Sequence, residues 1–598
     1  MDLLPRVFRS EGDMVEFDPS RIMVSLMKET GLNEEEAKKI TEFTVRRIIS
    51  SGIKFLSGPH IREIVCSILS EQHYEQERKL YTRIGMPLMD YEDILERVPV
   101  SGEIFNPEKI HHWAANQIAK EYTLLRVLND DESKAHLYGD IHIHDLKYFD
   151  LRPLSQIWDP RIILKNGLPP GNTGMSCCKS GPASNLKIAV DHLGKWLGLT
   201  QSEFSGNQGF NFITTFLAPY AKNLSDAEIK NEMLNLVYEI NQISALTGRD
   251  IPITSIFSSP VPIDVISELP AIGVDGNIVG KYGDYNNECL KLFNSLIEVF
   301  TAGDYYGNAF TFPKHLIYYE EDWLKEFDYS NVENEIKNMG TSYLVNLSSI
   351  WLKNKVIENY EADRFVNTGV LQNICLNLPR YAYQSRDESE FIEILEDKIS
   401  LSFGILNKKY DIIEKRINSK HLPLCCSLIE DRPLYRLKNQ KLTLSFVGLN
   451  EAVKILADYE LHENSDAFNF AKKIIQQMNK ICVDKSIQED KEYNLIENSS
   501  EKPIVRFANL DLIHFSNKVK TILNSNKVHY TNSYHFSKDA SLDIMERIHK
   551  QGEFHELIQN EVIEHINLKL IDENFTGIPE FLLKLCLKSK IGGVKFET

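Results

Sequence analysis

The stretch Phe365-Val-Asn-Thr-Gly-Val-Leu-Gln-Asn-Ile-Cys-Leu-Asn-Leu-Pro-Arg-Tyr381 decides the fold. Its apolar residues form a short run with a β-branched bias, and they are Val370, Leu371, Ile374, Leu376 and Leu378. A glycine precedes the run and a proline follows it, which is typical of a strand buried on both faces. Such a strand belongs in the core of a large α/β fold. A polar insertion at 347–363 comes just before it, and we expect it to reach into the cavity that the strand lines.

The composition is that of an ordinary globular protein. The 598 residues are 42% hydrophobic and 25% charged, enough for a large core and an accessory domain. A formal net charge of −18 argues against non-specific nucleic-acid binding, although a local basic nucleotide pocket is compatible with it. The N-terminus has no apolar signal core, and no run of about 18 apolar residues occurs, so we expect a cytoplasmic protein without a membrane span.

The cysteines indicate reduced thiols. There are nine, an odd number, and none forms a Cys-x-x-Cys pair, so a zinc ribbon has no support and we predict no bound metal. Two adjacent pairs occur, Cys177-Cys178 and Cys425-Cys426. Most cysteines in such a chain are small buried hydrophobic residues.

Residues 1–95 are predicted to form a domain of their own, followed by a larger one at 100–598. Two short apolar segments, at 7–8 and 14–17, predict a tight hairpin. Helices are predicted to start near Pro19, Asn33 and Ser57, with a further helix around 76–84. Asn33 and Glu36 have the spacing of a capping box.

This order of Val-x-Arg-x-x-Gly, Phe-Asp-x-x-Arg-Ile and a Ser-Gly-Pro-x-Ile helix resembles the ATP-cone domain that regulates ribonucleotide reductases. The resemblance implies an allosteric site for ATP or dATP. Val7 and Ile22 would provide an apolar wall for the base, Arg9 and Arg21 would donate to the triphosphate, and Ser57 would lie at the start of the third helix. Ser10 departs from the pattern, because a second basic residue is common there.

The segment Gly139-Asp-Ile-His-Ile-His-Asp145 holds two histidines with strand spacing. If it is extended, His142 and His144 point to the same side. Such a pair can bind a metal, as in a metal-dependent hydrolase, or it can donate hydrogen bonds to a polar substrate. No convincing set of further metal ligands follows, so we favour the substrate-lining role.

Long helical patterns and short strand patterns alternate along the rest of the chain. We predict helices at 186–199, 226–245, 288–302, 387–416 and 466–479, strands at 251–257 and 307–314, and a loop at 485–503. Alternation on this scale predicts a closed or nearly closed α/β barrel. Thr531, Asn532 and Ser533 offer consecutive N–H groups and hydroxyls that would suit a phosphate, although such a run is also common in simple turns.

Six motifs occur in one order: Gly-Asp-Ile-His-Ile-His-Asp, Gly-Phe-Asn-Phe with Leu-Ala-Pro, Gly-Asn-Ala-Phe-Thr-Phe-Pro-Lys, Leu-Asn-Leu-Pro-Arg, Arg-Phe-Ala-x-x-Asp and Tyr-Thr-Asn-Ser-x-His. Together they resemble the large subunit of anaerobic, glycyl-radical ribonucleoside-triphosphate reductases. The resemblance implies a ten-stranded α/β barrel of the glycyl-radical and ribonucleotide reductase type, usually dimeric, that converts ribonucleoside triphosphates to deoxyribonucleotides. It implies a radical-SAM iron–sulfur activase as a partner. Substrate contacts are implied for His142, His144, Asn377, Tyr530, the run 531–533 and His535.

Two parts of the family pattern are missing from this sequence. The family carries a radical-forming cysteine in the loop ahead of the Leu-Asn-Leu-Pro-Arg strand, but 347–369 contains no cysteine, and Cys375 lies on the strand itself. The family also ends in paired Cys-x-x-Cys motifs and an Arg-Val-x-Gly-Tyr radical loop, and 590–598 contains neither. Cys177 and Cys178 fall roughly where the family places a cysteine that takes part in reduction.

Three hypotheses therefore remain open. The chain is a reductase subunit whose glycyl radical is supplied in trans by a separate polypeptide. Alternatively, it is a catalytically inactive homologue that binds nucleotides and regulates an active enzyme. The third hypothesis is a metal-dependent hydrolase that uses His142 and His144.

Overall fold

The computed structural model describes residues 6–8, 14–53, 55–86, 88–98, 106–171, 178–247, 254–357, 360, 365–523, 528–538, 540–558 and 560–597. The chain divides into two compact units, 1–133 and 134–598. None of the described helices is long and apolar enough to cross a membrane.

The first unit combines a small sheet with helices. Its strands are β1 Arg6–Phe8, β2 Met14–Glu16 and β3 Phe55–Ser57, and its helices are α1 Pro19–Thr30, α2 Glu34–Ser51, α3 Gly58–Glu71, α4 Glu75–Tyr81, α5 Leu88–Glu96 and α6 Pro107–Tyr122. Strand β1 is antiparallel to β2, as the predicted hairpin requires, and parallel to β3, which was not predicted. The capping box is confirmed, since Glu36 N–H donates to Asn33 at 2.9 Å and Asn33 N–H donates to Glu36 at 3.3 Å.

Strands of the second unit form one large sheet and two small hairpins. The large sheet comprises β4 Ile141–Ile143, β5 Ser155–Trp158, β6 Gln208–Phe210, β7 Thr254–Ser258, β10 Lys314–Tyr319, β11 Tyr343–Asn346, β12 Asn367–Asn377, β15 Gln440–Val447, β16 Glu492–Leu495, β17 Glu564–Asn567 and β18 Gly593–Glu597. The hairpins are β8 Pro270–Ile272 with β9 Ile278–Lys281, and β13 Leu428–Ile429 with β14 Arg432–Pro433.

Helix α7, Asp130–Tyr138, crosses the boundary between the units. The helices that follow are α8 Arg161–Asn166, α9 Leu186–Thr200, α10 Ile213–Leu217, α11 Asp226–Thr247, α12 Asp264–Ser267, α13 Asn286–Ala302, α14 Glu321–Glu326, α15 Ser330–Asn338, α16 Ile350–Ile357, α17 Leu378–Gln384, α18 Glu388–Asn418, α19 Leu449–Ala457, α20 Ser465–Glu489, α21 Glu501–Ile522, α22 Ile544–Ile558, α23 Leu568–Asn574 and α24 Ile578–Lys588.

The sheet follows a ten-strand path in the order β16-β15-β12-β5-β6-β7-β10-β11-β18-β17, and β4 pairs with β12 beside it. Strands β5 to β11 along this path are parallel, and the direction reverses where β12 meets β5 and where β18 meets β11. At the two ends of the path, the Asn560 amide donates to the Leu495 carbonyl at 3.1 Å, and Ile563 N–H donates to Glu497 at 2.8 Å. These bonds bring β16 close to β17, and the predicted ten-stranded α/β barrel is confirmed.

Strand β12 is the central strand that the sequence predicted. It pairs with β15 on one edge and with β5 and then β4 on the other. Leu371, Ile374, Cys375 and Leu376 are fully buried, because both faces of the strand are covered. The apolar run is therefore explained by its position deep in the fold.

Two local predictions were wrong. Residues 307–313 are not a strand, and β10 begins only at Lys314, after Pro313. The polar stretch 485–503 is not a loop, because it contains the end of α20, strand β16 and the start of α21. Strand β16 is short and flanked by charged residues, so its own composition does not predict a strand. Its pairing with β15 stabilises it instead.

Candidate functional site

The His-x-His segment forms the short strand β4, which lies against the central strand. His142 is paired directly with Cys375 of β12, and His144 N–H donates to the Asn373 carbonyl at 3.1 Å. Directly opposed residues of antiparallel strands project from the same face, so His142 and Cys375 share one face of the sheet. Helix α21 covers this face, since the rings of His142 and Phe507 lie 6.4 Å apart.

A third histidine joins the pair. The ring centroids of His142 and His144 are 5.0 Å apart, and that of His136 at the end of α7 is 5.5 Å from His142. His136 Nδ1 accepts a hydrogen bond from Ile143 N–H at 3.2 Å. His136 is not signalled by the His-x-His pattern, because it lies on α7 and not in the extended segment that holds His142 and His144.

Burial keeps these histidines neutral. It lowers the pKa of His136 to about 3 and that of His144 to about 4, and the pKa of His142 lies well below its ordinary value. Nearby positive charge acts in the same direction, from Arg506 on His136 and from Lys502 on His144. Among the described residues, Nδ1 of His142 and Nε2 of His144 have no hydrogen-bond partner. A neutral imidazole with an unpaired ring nitrogen is suited to bind a polar ligand.

Helix α21 supplies the basic side chains near these histidines. Lys502 lies in its first turn, and Arg506 one turn later donates to the carbonyl oxygens of His136 and Ile141. Burial lowers the pKa of Arg506 to about 10, so the guanidinium is charged at neutral pH. We call His136, His142, His144, Lys502 and Arg506 the histidine site.

The Tyr-Thr-Asn-Ser-x-His segment is held in place by buried carboxylates. Thr531 donates to Glu451 with its N–H at 2.9 Å and with its hydroxyl at 2.7 Å. Asn532 donates to Glu497 at 3.3 Å, and His535 Nε2 lies 2.8 Å from the same carboxylate. The donors that the sequence offered to a phosphate at Thr531 are therefore engaged within the protein.

The other two positions of this segment are also bonded. Ser533 Oγ accepts from Asn498 N–H at 2.9 Å and donates to the Phe446 carbonyl at 3.1 Å. Burial acts to lower the pKa of His535, but Glu497 and Glu564 outweigh it, and the pKa is raised. The phosphate role of 531–533 stays a prediction, and it would require a ligand to compete with these bonds.

Asn377 and Tyr530 meet at a buried carboxylate. The Asn377 amide donates to Asp511 at 3.0 Å, and the Tyr530 hydroxyl donates to the same oxygen at 2.9 Å. Arg380 pairs with the other oxygen at 2.5 Å. Arg380 also lies 3.3 Å from Asp140, which belongs to the Gly-Asp-Ile-His-Ile-His-Asp motif. Four of the six motifs therefore contribute side chains to one connected region of the barrel unit.

Residues 103–598 match the sequence profile of the family described as anaerobic ribonucleoside-triphosphate reductase. The chain belongs to this family. Its similarity to the anaerobic ribonucleoside-triphosphate reductase of Salmonella typhimurium is 22% identity, covering 91% of this chain and 83% of that one. The enzyme of that name from Enterobacteria phage T4 is 21% identical, covering 74% of this chain and 77% of that protein.

Solved structures of anaerobic ribonucleotide reductase share the fold. The Thermotoga maritima enzyme with dATP bound in the specificity site has a TM-score of 0.64 at 17% identity, covering 98% of this chain and 93% of that one. The enzyme of the same species with MES in the active site has a TM-score of 0.69 at 18% identity, covering 86% of this chain and 87% of that one. This family assignment does not favour the hydrolase hypothesis.

The family resemblance implied a radical-forming cysteine in the loop ahead of β12, and no cysteine occurs there. We call 347–366, which joins β11 to β12, the finger segment, and it contains no cysteine. Cys375 is fully buried, and burial raises the pKa of its thiol to about 12. Cys178 is exposed, and Cys177 lies outside the described residues.

The residues present do not fit a radical-bearing site of the family type. Gly593 pairs with Val345 on β18, and a Cβ atom at Gly592 would lie 2.5 Å from the Trp351 ring, so close packing explains this glycine. Among the described residues, no group of three or more His, Cys, Asp or Glu is arranged to hold a metal ion.

The allosteric residues predicted in the first unit are spread over its elements. Val7 lies on β1, and Ser57 caps α3. Arg21 is exposed and lies 3.8 Å from Asp18, whereas Ile22 is buried in the core of the unit. Arg9 lies outside the described residues. The nucleotide site of this unit stays a prediction.

Proposed function

We propose that this chain provides the substrate-binding barrel of an anaerobic ribonucleoside-triphosphate reductase, and that a separate polypeptide supplies the glycyl radical. The observation that carries the proposal is the histidine site, where two neutral histidines with unpaired ring nitrogens lie beside two cationic side chains. A ribonucleoside triphosphate offers the matching chemistry, since its phosphates accept hydrogen bonds and carry negative charge.

A glycyl radical supplied in trans does not replace the radical-forming cysteine that the finger segment lacks. Removing a ribose hydrogen requires a radical, which acid or base side chains do not supply, and this segment has no cysteine to carry it. A radical-SAM iron–sulfur activase is the partner that would generate a glycyl radical on the separate polypeptide. Cys375, Cys177 and Cys178 are the candidates in this chain for a thiol that takes part in the reduction.

We further propose that residues 1–95 form a regulatory ATP cone that binds ATP or dATP, and that the protein acts in the cytoplasm as a homodimer. Two observations support nucleotide control. The N-terminal motifs resemble those of ATP cones, and Thermotoga maritima anaerobic ribonucleotide reductase, which shares this fold, has been solved in complex with dATP and CTP.

The experiment is anaerobic formation of deoxyribonucleotides from ribonucleoside triphosphates with the purified chain, an activase and a candidate radical-bearing polypeptide. Calorimetry with CTP, in the presence of saturating dATP, measures binding to the barrel separately. In the double variant His142→Ala and His144→Ala, we expect CTP affinity to fall by at least about tenfold. His192→Ala is the matched control, because His192 on α9 is also buried but is hydrogen-bonded to Ser180. Unchanged CTP affinity in the double variant would refute the site.

A second candidate is a nucleotide-binding homologue without catalysis, which would regulate an active reductase. The observation that favours it is the combination of a finger segment without cysteine and a buried Cys375 with a raised pKa. CTP binding without turnover in the complete anaerobic mixture would support this candidate over the split reductase.

A further inference from the structure

Asp511 connects α21 to the junction of β12 with α17 and to Tyr530. It lies on α21 and is fully buried. One carboxylate oxygen accepts from Arg380 Nε at 2.5 Å. The other accepts from the Asn377 amide at 3.0 Å and from the Tyr530 hydroxyl at 2.9 Å. The end of β12, the start of α17 and the segment before Thr531 are thus held by one side chain.

Arg380 and Asn377 extend these bonds to the chain that leads into β4. Arg380 donates to the Tyr138 carbonyl and lies 3.3 Å from the Asp140 carboxylate. The Asn377 amide donates to the Gly139 carbonyl at 2.9 Å. Its backbone N–H donates to the Asp140 carbonyl at 3.2 Å. Three consecutive residues before β4 are therefore fixed by the pair of side chains that Asp511 orients.

Close packing restricts the backbone of residues 138–140, which leads into β4. Gly139 has φ +91°, a conformation that L side chains rarely adopt, and a Cβ atom there would lie 2.7 Å from Leu510 Cδ1. His142 follows on β4, and His144 comes directly after that strand, whose register against β12 is continuous with these contacts. A shift before β4 would therefore move both histidine rings relative to α21.

We propose that Arg380 and Asp511 are positioning residues, which fix His142 and His144 of the histidine site and the segment 530–535 in the geometry that binds substrate. This role rests on the proposed function. The two residues orient the groups that contact substrate and are not themselves expected to contact it. Either residue would also stabilise the fold as a buried ion pair, so the test must separate positioning from stability.

The variant Asp511→Asn preserves the shape of the side chain but removes its charge and one acceptor. We expect CTP affinity in the presence of saturating dATP to fall by about tenfold or more, with dATP binding unchanged. We also expect the amides of β4 to exchange with deuterium faster than in the wild type. Glu335→Gln is the matched control, because Glu335 is fully buried and hydrogen-bonded to Thr341, and there both measurements should stay at wild-type values.

A second variant, Arg380→Lys, covers the case in which Asp511→Asn does not fold. Lysine retains the charge opposite Asp511, but its compact ammonium replaces a planar guanidinium that bonds Asp511 through Nε and bonds Tyr138 and Asp140 through a different nitrogen, Nη1. We expect a folded protein with weakened CTP binding and faster exchange in β4. Wild-type CTP affinity and exchange in Arg380→Lys would overturn the positioning role.

The two proposals can fail separately. If the wild-type protein binds no CTP in its barrel, the proposed function is wrong, and exchange in β4 alone decides the positioning role. In that case, unchanged protection of β4 in both variants would overturn it, and lost protection would support it.

Discussion

Lys409 allows a quantitative test of the hydrogen bonds that hold the connection between β4 and β5. It lies on α18 with 1% exposure, and its ammonium nitrogen donates to the carbonyl oxygens of Tyr148, at 3.0 Å, Phe149, at 2.7 Å, and Arg152. These carbonyls belong to the connection between β4 and β5. Burial lowers the pKa of Lys409 to about 7, and Asp150 and Asp145 act in the opposite direction.

The sign of the pH effect follows from this lowered pKa. An unfolded lysine has a pKa of about 10.4, so between pH 7 and that value the unfolded chain binds the additional proton. The contribution of Lys409 to the free energy of unfolding therefore rises with pH in this window. For one proton, the rise between pH 7 and pH 9 is about 2 kcal/mol.

The perturbation is Lys409→Met, and the measurement is urea denaturation of wild type and variant at pH 7, 8 and 9. Subtracting the two free energies of unfolding cancels the contributions of the buried thiols and tyrosines, which begin to ionise in the unfolded chain over this pH range. We expect the difference to grow by about 2 kcal/mol in favour of the wild type. Lys415→Met, which removes an exposed lysine from the same helix, is the matched control. A constant difference for Lys409→Met would refute the lowered pKa and mean that the three carbonyls retain a charged ammonium.

Three further outcomes are expected. Under native anaerobic conditions iodoacetamide should label Cys178, which is exposed, and leave Cys375 unlabelled until denaturant is added, as peptide mass spectrometry would show. The double variant Arg9→Ala and Arg21→Ala should weaken ATP binding to the first unit in calorimetry, and unchanged affinity would contradict the allosteric assignment. Replacing Glu451 with Gln should cost about 1–3 kcal/mol in urea denaturation, because the Thr531 donors lose their carboxylate, and an unchanged midpoint would show that these bonds do not stabilise the segment.

Much of the fold was readable from local patterns. The run from Val370 to Leu378 predicted β12, because a strand buried on both faces leaves a continuous apolar signal. Asn33 and Glu36 predicted the start of α2, because a capping box is a contact between residues three apart. Strand β16 was missed, because its stability comes from pairing with β15 and not from its own four residues.

The candidate site was predictable only in part. His142 and His144 were found because two histidines with strand spacing stand out in a short segment. Lys502 and Arg506 were not found, because their contacts with the histidines span more than 350 residues and leave no local pattern. His136 was not found because it lies on α7, before the strand pattern that holds the other two histidines. The phosphate role of Thr531 looked plausible in the sequence, which could not reveal that Glu451 accepts both of its donors.

The sequence by itself determined the family, through the order of its motifs, and it determined that the finger segment has no cysteine. Both are properties of residue identity, which folding does not change. Only the tertiary structure decided which of these side chains are buried, which are neutral and which already have hydrogen-bond partners. It buried the thiol of Cys375, kept three histidines neutral and gave Arg380 and Asp511 their partners, because desolvation and hydrogen bonding depend on residues brought together from distant parts of the chain.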